Sequence, residues 1–295
     1  MSRVSQAIAA EPWAITPDAL QLIARIVARH DAGVPQEEPA YLKRDLQLMA
    51  GPRAERLPGA QRAFLVGDVA VLPVTGPIFP RANMITEFSG GTSVTMLQND
   101  FRVALNDANV YGIMLLIDSP GGAVSGIAAF ADQLAAGAKK KLTRAYVAGT
   151  GASAAYWIAS QAEQISLERT SAVGSIGVVA AVPVQIAPEA ETGTLWVEIV
   201  SSNAPNKRPD PVADDGRAEI VATLDAIEKQ FVADVAKGRK TTAAKVTSEF
   251  GRGGIKIGAD AVGAGMVDKV ESYEAALAAL QREAANRKRA QALKQ

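Results

Sequence analysis

The chain has 295 residues, no cysteine, a single histidine and a formal net charge of zero. Thiol catalysis, disulfides and cysteine or multi-histidine metal centres are therefore excluded, and the charge balance argues against a general nucleic-acid binder. Hydrophobic residues make up 48% and charged residues 21%, which suits a globular protein of one large domain or two modest ones.

Residues 1–50 read as helical. Pro17–Arg29 carries apolar positions at helical spacing behind a capping Thr16, and Tyr41–Met49 is a second candidate. The histidine, His30, sits in this charged helical segment. A Ser-His-Asp hydrolase would have to use it as base, but its surroundings are those of a solvated helix residue. No signal-peptide core precedes Glu11 and no membrane helix is visible, so a cytoplasmic protein without a membrane anchor is expected. Residues 51–62, rich in Gly, Pro and Arg, read as a linker.

Phe64–Val74 alternates as a strand does, and Gly76-Pro77 turns the chain. The Gly-rich run Ser89-Gly90-Gly91-Thr92 lacks the following Lys-Ser or Lys-Thr of a phosphate loop, so a nucleotide site there is not expected. Thr95–Asn106 reads as a helix. Tyr111–Ile117 is a continuous apolar run, the pattern of a strand buried on both faces, and it ends in Asp118-Ser119-Pro120-Gly121-Gly122. Helix Val124–Ala136, strand Thr143–Ala148, helix Ala154–Ala162 and strands Ile165–Leu167 and Ile176–Val182 follow. This alternation predicts βαβ units, an α/β fold and a largely parallel sheet, whose sites gather at the carboxyl ends of strands. Strand Leu195–Val200, a polar loop over Ser201–Asp215, helix Ala218–Arg239, short helix Ala259–Ala264, strand Met266–Val270 and a basic helix from Glu274 complete the chain. The basic end reads as a solvated tail.

Two strand ends carry chemistry. Ser153 stands among small residues where a helix begins, and two readings are open: a helix cap, or a nucleophile beside unpaired helix N–H groups. Gly121-Gly122 offers backbone N–H groups with no side chain to block a carbonyl oxygen, or is simply a turn. Without a usable histidine, a serine nucleophile needs a lysine base. Lys207 is the only lysine in the 201–215 loop. It would have to be desolvated to give up its proton, and an exposed lysine is the ordinary state of such a residue.

The motifs DSPGG at 118–122, GASAAYWIAS at 151–160, VGSIGVV at 173–179, FVADVAKGR at 231–239, FGRGG at 250–254 and AVGAGMVD at 261–268 occur in an order that resembles the S49 peptidases, the signal peptide peptidase A family. The resemblance is nearest to the phage capsid-assembly and head-maturation branch. It runs from Phe64 to Val270, with a weaker echo at Pro12-Trp13-Ala14-Ile15. It implies a ClpP/crotonase-like fold of repeated ββα units behind an N-terminal helical segment. It divides the chain into a helical arm and linker (1–62), a peptidase domain (63–272) and a basic helical tail (273–295).

The same resemblance implies a serine endopeptidase with a Ser-Lys dyad. Ser153 falls on the nucleophile and Lys207 on the base. Gly121 or, preferably, Gly122 forms the oxyanion hole with the Ala154 amide, and Ser175 orients the lysine. No cofactor or metal is implied. The implied partners are a capsid or scaffold protein as substrate and further copies of the chain in a homo-oligomer, with no nucleic acid. Two departures stand out: Ala154-Ala155 replaces the usual glycines after the nucleophile, and the loop before Lys207 lacks its usual glycine. Lys139, Lys140 and Lys141 are rivals placed away from the strand ends. Alternatives are a signal-peptide or general protein-degrading peptidase, a crotonase-like acyl-CoA enzyme that would not need Ser153, and an inactive assembly protein.

Overall fold

The computed structural model describes residues 11–31, 46–82, 91–182, 201–207 and 209–293. The strand expected over Leu195–Val200 and the start of the Ser89–Thr92 run lie outside them.

The chain forms a mixed α/β structure around three parallel strands. These are β4 (Val69–Thr75), β7 (Gly112–Ser119) and β9 (Leu142–Ala152), paired in the order β4-β7-β9. β4 is buried at every position and β7 at all but one, which is why both read as unbroken apolar runs. Helix α3 (Val94–Asn106) leads from β4 towards β7, and α4 (Ile127–Ala138) connects β7 to β9. Phe101 and Phe130 of these helices meet edge to face, their ring centroids 6.0 Å apart.

β9 is long enough to serve two neighbours. Its first half pairs in parallel with β10 (Gln164–Leu167), and its last residues pair in parallel with β11 (Ala172–Gly174). β12 (Ile255–Ile257) closes that edge antiparallel to β11. β13 (Lys269–Val270) extends β10, and β3 (Phe64–Val66) and β2 (Glu55–Arg56) extend the other side from β4.

A second, four-stranded sheet has the order β1-β8-β5-β6. It comprises β1 (Trp13–Ile15), β5 (Ile78–Phe79), β6 (Thr92–Ser93) and β8 (Gly121–Ala123). Residues 13–15 are thus a strand, where a helical arm was expected. Only three residues long, β1 has no periodicity of its own to betray it, and its partner lies more than a hundred residues away. The expected helix does follow, as α1 (Pro17–Asp31), which contains His30, and a short α2 (Leu46–Ala50) precedes β2.

The linker is fastened down. The buried Asp100 carboxylate accepts the backbone N–H groups of Gln61 and Arg62 at 2.7 Å and of Ala63 at 2.9 Å. The Arg62 guanidinium reaches the Gly91 carbonyl and Thr75 Oγ1.

Two later helices back the sheet. α5 (Ala154–Ala159) is buried at every position and lies under α6 (Asp214–Gly238). Trp157 stacks on Phe231 at 4.5 Å and donates its indole N–H to Asp234. α7 (Ala243–Glu249) and α8 (Gly258–Gly263) lead to the last helix, α9 (Tyr273–Ala292). α9 is not a free solvated tail. Ala276, Leu277, Leu280 and Ala284 form one buried stripe against Val69, Met114 and Tyr146, and the basic residues take the other faces.

An ion pair locks the return of the chain. Arg239 at the end of α6 holds Asp268 through both terminal guanidinium nitrogens, at 2.8 and 3.1 Å, and Asp268 also accepts the Ile165 N–H. Burial pushes the Asp268 carboxyl up, but the hydrogen bonds from Arg239 and Ile165 outweigh it and hold the group below its ordinary value. A carboxyl depressed on folding stabilises above its unfolded pKa of about 4, and that contribution is lost as pH falls through the folded value. In urea unfolding, the stability difference between wild type and Asp268→Asn is therefore largest above pH ~4 and shrinks towards pH ~2. A constant difference over that range contradicts the assignment.

Candidate active site

The two motif-bearing strand ends meet. β7 and β9 run in register from Gly112 opposite Leu142 to Ile117 opposite Val147, and an irregularity then sets Ser119 opposite Gly151. The Ser-Pro-Gly-Gly turn that follows β7 therefore lies against the residues that lead into Ser153.

Ser153 stands between the last residue of β9 and the first of α5, with φ 55° and ψ −120°. A non-glycine residue pays for this conformation in steric strain, and such residues persist where the surroundings enforce them. Here the enforcing contacts are backbone bonds. The Ser153 N–H donates to the Gly174 carbonyl at 2.7 Å, and its carbonyl accepts from Trp157 N–H at 2.9 Å. The chain turns sharply from strand to helix, and the side chain stands at the bend.

The hydroxyl is the telling group. Ser153 occupies the cap position of α5, yet its side chain makes no capping bond. Its Oγ is fully buried with no hydrogen-bond partner among the described residues. The helix-cap reading thus fails in its own terms: the residue is at the cap but does not cap. A buried hydroxyl without a partner costs about 1–3 kcal/mol, so its presence calls for a reason other than stability.

The glycine pair is shaped by close approach. Gly121 has φ +98°, and a Cβ there would lie 2.3 Å from the Ala14 carbonyl oxygen, 2.9 Å from Ser153 Cβ and 3.0 Å from the Ala152 carbonyl oxygen. A Cβ on Gly122 would lie 1.9 Å from the Ile78 carbonyl oxygen. No side chain fits at either position. The backbone of the turn can come this close to the serine only because both residues are glycine. Ser119 steadies the turn: its Oγ donates to the Gly76 carbonyl and accepts the Gly121 N–H at 3.2 Å. Ala154 begins α5, so its N–H has no acceptor within the helix.

Ser175 lies one residue beyond the Gly174 carbonyl that holds Ser153. It has φ 52°, and its N–H donates to the Gly254 carbonyl at 2.7 Å. The expected strand Ile176–Val182 is reduced to a single bridge at Val179, and the regular pairing falls earlier, on Ala172–Gly174. A groove of about 420 Å³ opens beside Ser175, lined by the 175–181 segment, by the start of α1 from Pro17 to Ala24 and by Ile15 of β1.

Lys207 ends a 3₁₀ turn (Pro205–Lys207) and is exposed. Its ammonium is not a partner of Ser153 Oγ in this structure. Of the rival lysines, Lys141 has a structural task. It donates to the carbonyls of Ala104 and Asp107 at the end of α3, 2.9 and 2.6 Å away, and burial lowers its pKa. It precedes the first residue of β9, and Ser153 follows the last, roughly 40 Å along an extended strand. The residues that sequence reasoning missed act through their backbones: the Gly174 and Gly254 carbonyls, and Ala14. The first two lie in recognised motifs and Ala14 in the Pro12–Ile15 echo, but a carbonyl's direction leaves no mark in a sequence.

A serine held at a strained strand-to-helix turn, next to a side-chain-free turn, is a geometry from which a serine can attack a carbonyl group. A sequence profile of peptidase family S49 matches residues 135–287, just over half of the chain, and the chain belongs to that family. It is 34% identical over 149 residues to the head-tail preconnector protein GP5 of Enterobacteria phage P21, an alignment covering 49% of this chain and 29% of that protein. It is 27% identical over 223 residues to the capsid assembly protease C of Escherichia phage lambda, covering 75% of this chain and 49% of the other. With Protease 4 of Haemophilus influenzae it shares 28% identity over 221 residues, covering 71% and 34%. The chain thus spans between about a third and a half of the length of these relatives.

Because Ser153 Oγ makes no hydrogen bond with any described residue, its removal should not weaken the fold. Ser153→Ala is expected to unfold at the same temperature as wild type or a few degrees higher, read by calorimetry, since it removes an unsatisfied buried group. A destabilisation of more than about 1 kcal/mol would mean that the hydroxyl has a structural partner.

Proposed function

We propose that the protein is a serine endopeptidase in which Ser153 is the nucleophile and Lys207 the base. The observation that carries this reading is the buried, unpartnered Ser153 hydroxyl at a strained turn beside Gly121-Gly122. In the reaction, Lys207 Nζ takes the hydroxyl proton as Ser153 Oγ bonds to the substrate carbonyl carbon. The oxygen's charge falls on the N–H groups of Gly122 and Ala154. Collapse breaks the C–N bond with a proton passing to the leaving amine, and water then releases the acyl group.

Lys207 is exposed, so the reading requires the 201–207 segment to close over Ser153. Closure would desolvate the ammonium and lower its pKa, which is what a lysine base needs. Ser175, whose backbone is anchored beside the nucleophile, is assigned to orient the lysine. The parallel β4-β7-β9 core with β8 standing off it agrees with a ClpP/crotonase-like architecture. No helix among the described residues is long and apolar enough to cross a membrane. The preferred substrate is a capsid or scaffold protein, in keeping with the phage lambda relative named for capsid assembly, and the active form is a homo-oligomer.

Incubation with a capsid or scaffold protein, read by mass spectrometry, tests the assignment. Ser153→Ala and Lys207→Ala should each lower cleavage by about a thousandfold or more. Undiminished cleavage by Ser153→Ala contradicts the nucleophile, and undiminished cleavage by Lys207→Ala alone moves the base to another residue.

A further inference from the structure

The N-terminal strand lies across the candidate site. β1 runs antiparallel to β8, with Trp13 opposite Ala123, Ala14 opposite Gly122 and Ile15 opposite Gly121. The ladder bonds on either side fix which pair is hydrogen-bonded. Val124 N–H donates to the Pro12 carbonyl, and Thr16 N–H donates to the Pro120 carbonyl. Hydrogen-bonded pairs alternate along an antiparallel ladder, so Ala14 and Gly122 are the pair between them. The Gly122 N–H, assigned above to the oxyanion, therefore faces the Ala14 carbonyl. The same carbonyl oxygen lies 2.3 Å from the point where a Gly121 Cβ would sit, and Ser153 Cβ lies 2.9 Å from that point.

The other edge of β1 is taken as well. Trp13 exchanges both backbone bonds with Val179, each at 2.8 Å. Residues 12–16, with β1 at their centre, are thus laid between the glycine turn on one side and the segment after Ser175 on the other. Their side chains hold them there. Trp13 and Ile15 are buried with Ile23, Phe79 and Ala123, and the Trp13 ring meets Phe79 edge to face at 6.1 Å. Ala14 itself has no accessible surface, and neither has Ser153.

Resting on the reading of Ser153 as nucleophile, we propose that residues 12–16 are a resident plug, an intramolecular strand that takes the place of a substrate strand and seats its Ala14 carbonyl in the oxyanion hole. A protein substrate must have its own carbonyl on Gly122 N–H, and that N–H serves one acceptor in this geometry. The plug has to leave before a substrate strand can enter. Its departure would expose Ser153 and join the slot to the groove beside Ser175, which it lines through Ile15. An extended peptide would then gain the same two edges that β1 uses, backbone bonds supplying affinity and side-chain pockets supplying selection.

The test is the rate at which a fluorophosphonate labels Ser153 in the full chain, read by peptide mass spectrometry, with folding checked by thermal unfolding. Trp13→Ala removes the anchor of the plug. Ala14→Pro keeps the anchor and removes the N–H that pairs with Gly122. Both variants are expected to be labelled about tenfold faster than wild type, the change that release of a modestly held segment produces. Equal rates in folded variants overturn the plug. Absence of labelling at Ser153 in all three proteins overturns the nucleophile on which the plug rests. A fragment ending at Ala14 that forms in wild type but not in Ser153→Ala would make the segment a substrate and overturns its role as a plug.

Discussion

The backbone bond from Ser153 N–H to the Gly174 carbonyl holds the site in being. A serine at φ 55° and ψ −120° would relax to an ordinary conformation if its neighbours allowed it. They do not, because β9 is tied in parallel to β11 up to Ala152 opposite Gly174, while α5 is buried at every residue and cannot shift. The strain is thus held by sheet pairing behind the serine and helix packing in front of it. Trp157 stacked on Phe231, and Tyr156 bonded to the Met266 carbonyl, anchor that helix from below.

The glycine turn depends on the same frame. β7 brings Ser119 opposite Gly151, which sets the distance between the turn and the serine. Within that distance there is room for backbone only, so Gly121 and Gly122 follow from geometry and not from flexibility. The FGRGG motif has a parallel explanation. The Gly254 carbonyl accepts the Ser175 N–H, and a Cβ on Gly174 would lie 2.5 Å from that carbonyl oxygen. Glycines from distant parts of the chain are thus linked to Ser153, Gly121 and Gly174 directly and Gly254 through Ser175.

Much of this was legible in the sequence, for physical reasons. β4 is buried throughout and β7 at all but one position, so both announce themselves as apolar runs, and the chemistry-bearing residues follow strand ends, where parallel sheets place them. What escaped were elements set by distant partners. β1 is three residues long and gains its identity from Gly121–Ala123 and Val179. β12 pairs with β11, which was itself expected further along. α9 looked solvated because basic residues crowd its second half, while a narrow stripe of alanine and leucine was enough to seat it on the sheet. The position of Lys207 is the least legible part, because a loop residue carries no periodicity. In the structure it is exposed and makes no hydrogen bond to Ser153 Oγ.

The central claim is that the free hydroxyl of Ser153 attacks carbonyls in a slot now filled by residues 12–16. A crystal structure of the full chain with a peptide aldehyde tests it most directly. The account predicts a covalent bond from Ser153 Oγ to the aldehyde carbon, the resulting oxygen on the Gly122 and Ala154 N–H groups, and β1 displaced by the peptide. An aldehyde bonded to another side chain, or a peptide bound elsewhere with β1 still in place and Ser153 unmodified, contradicts it.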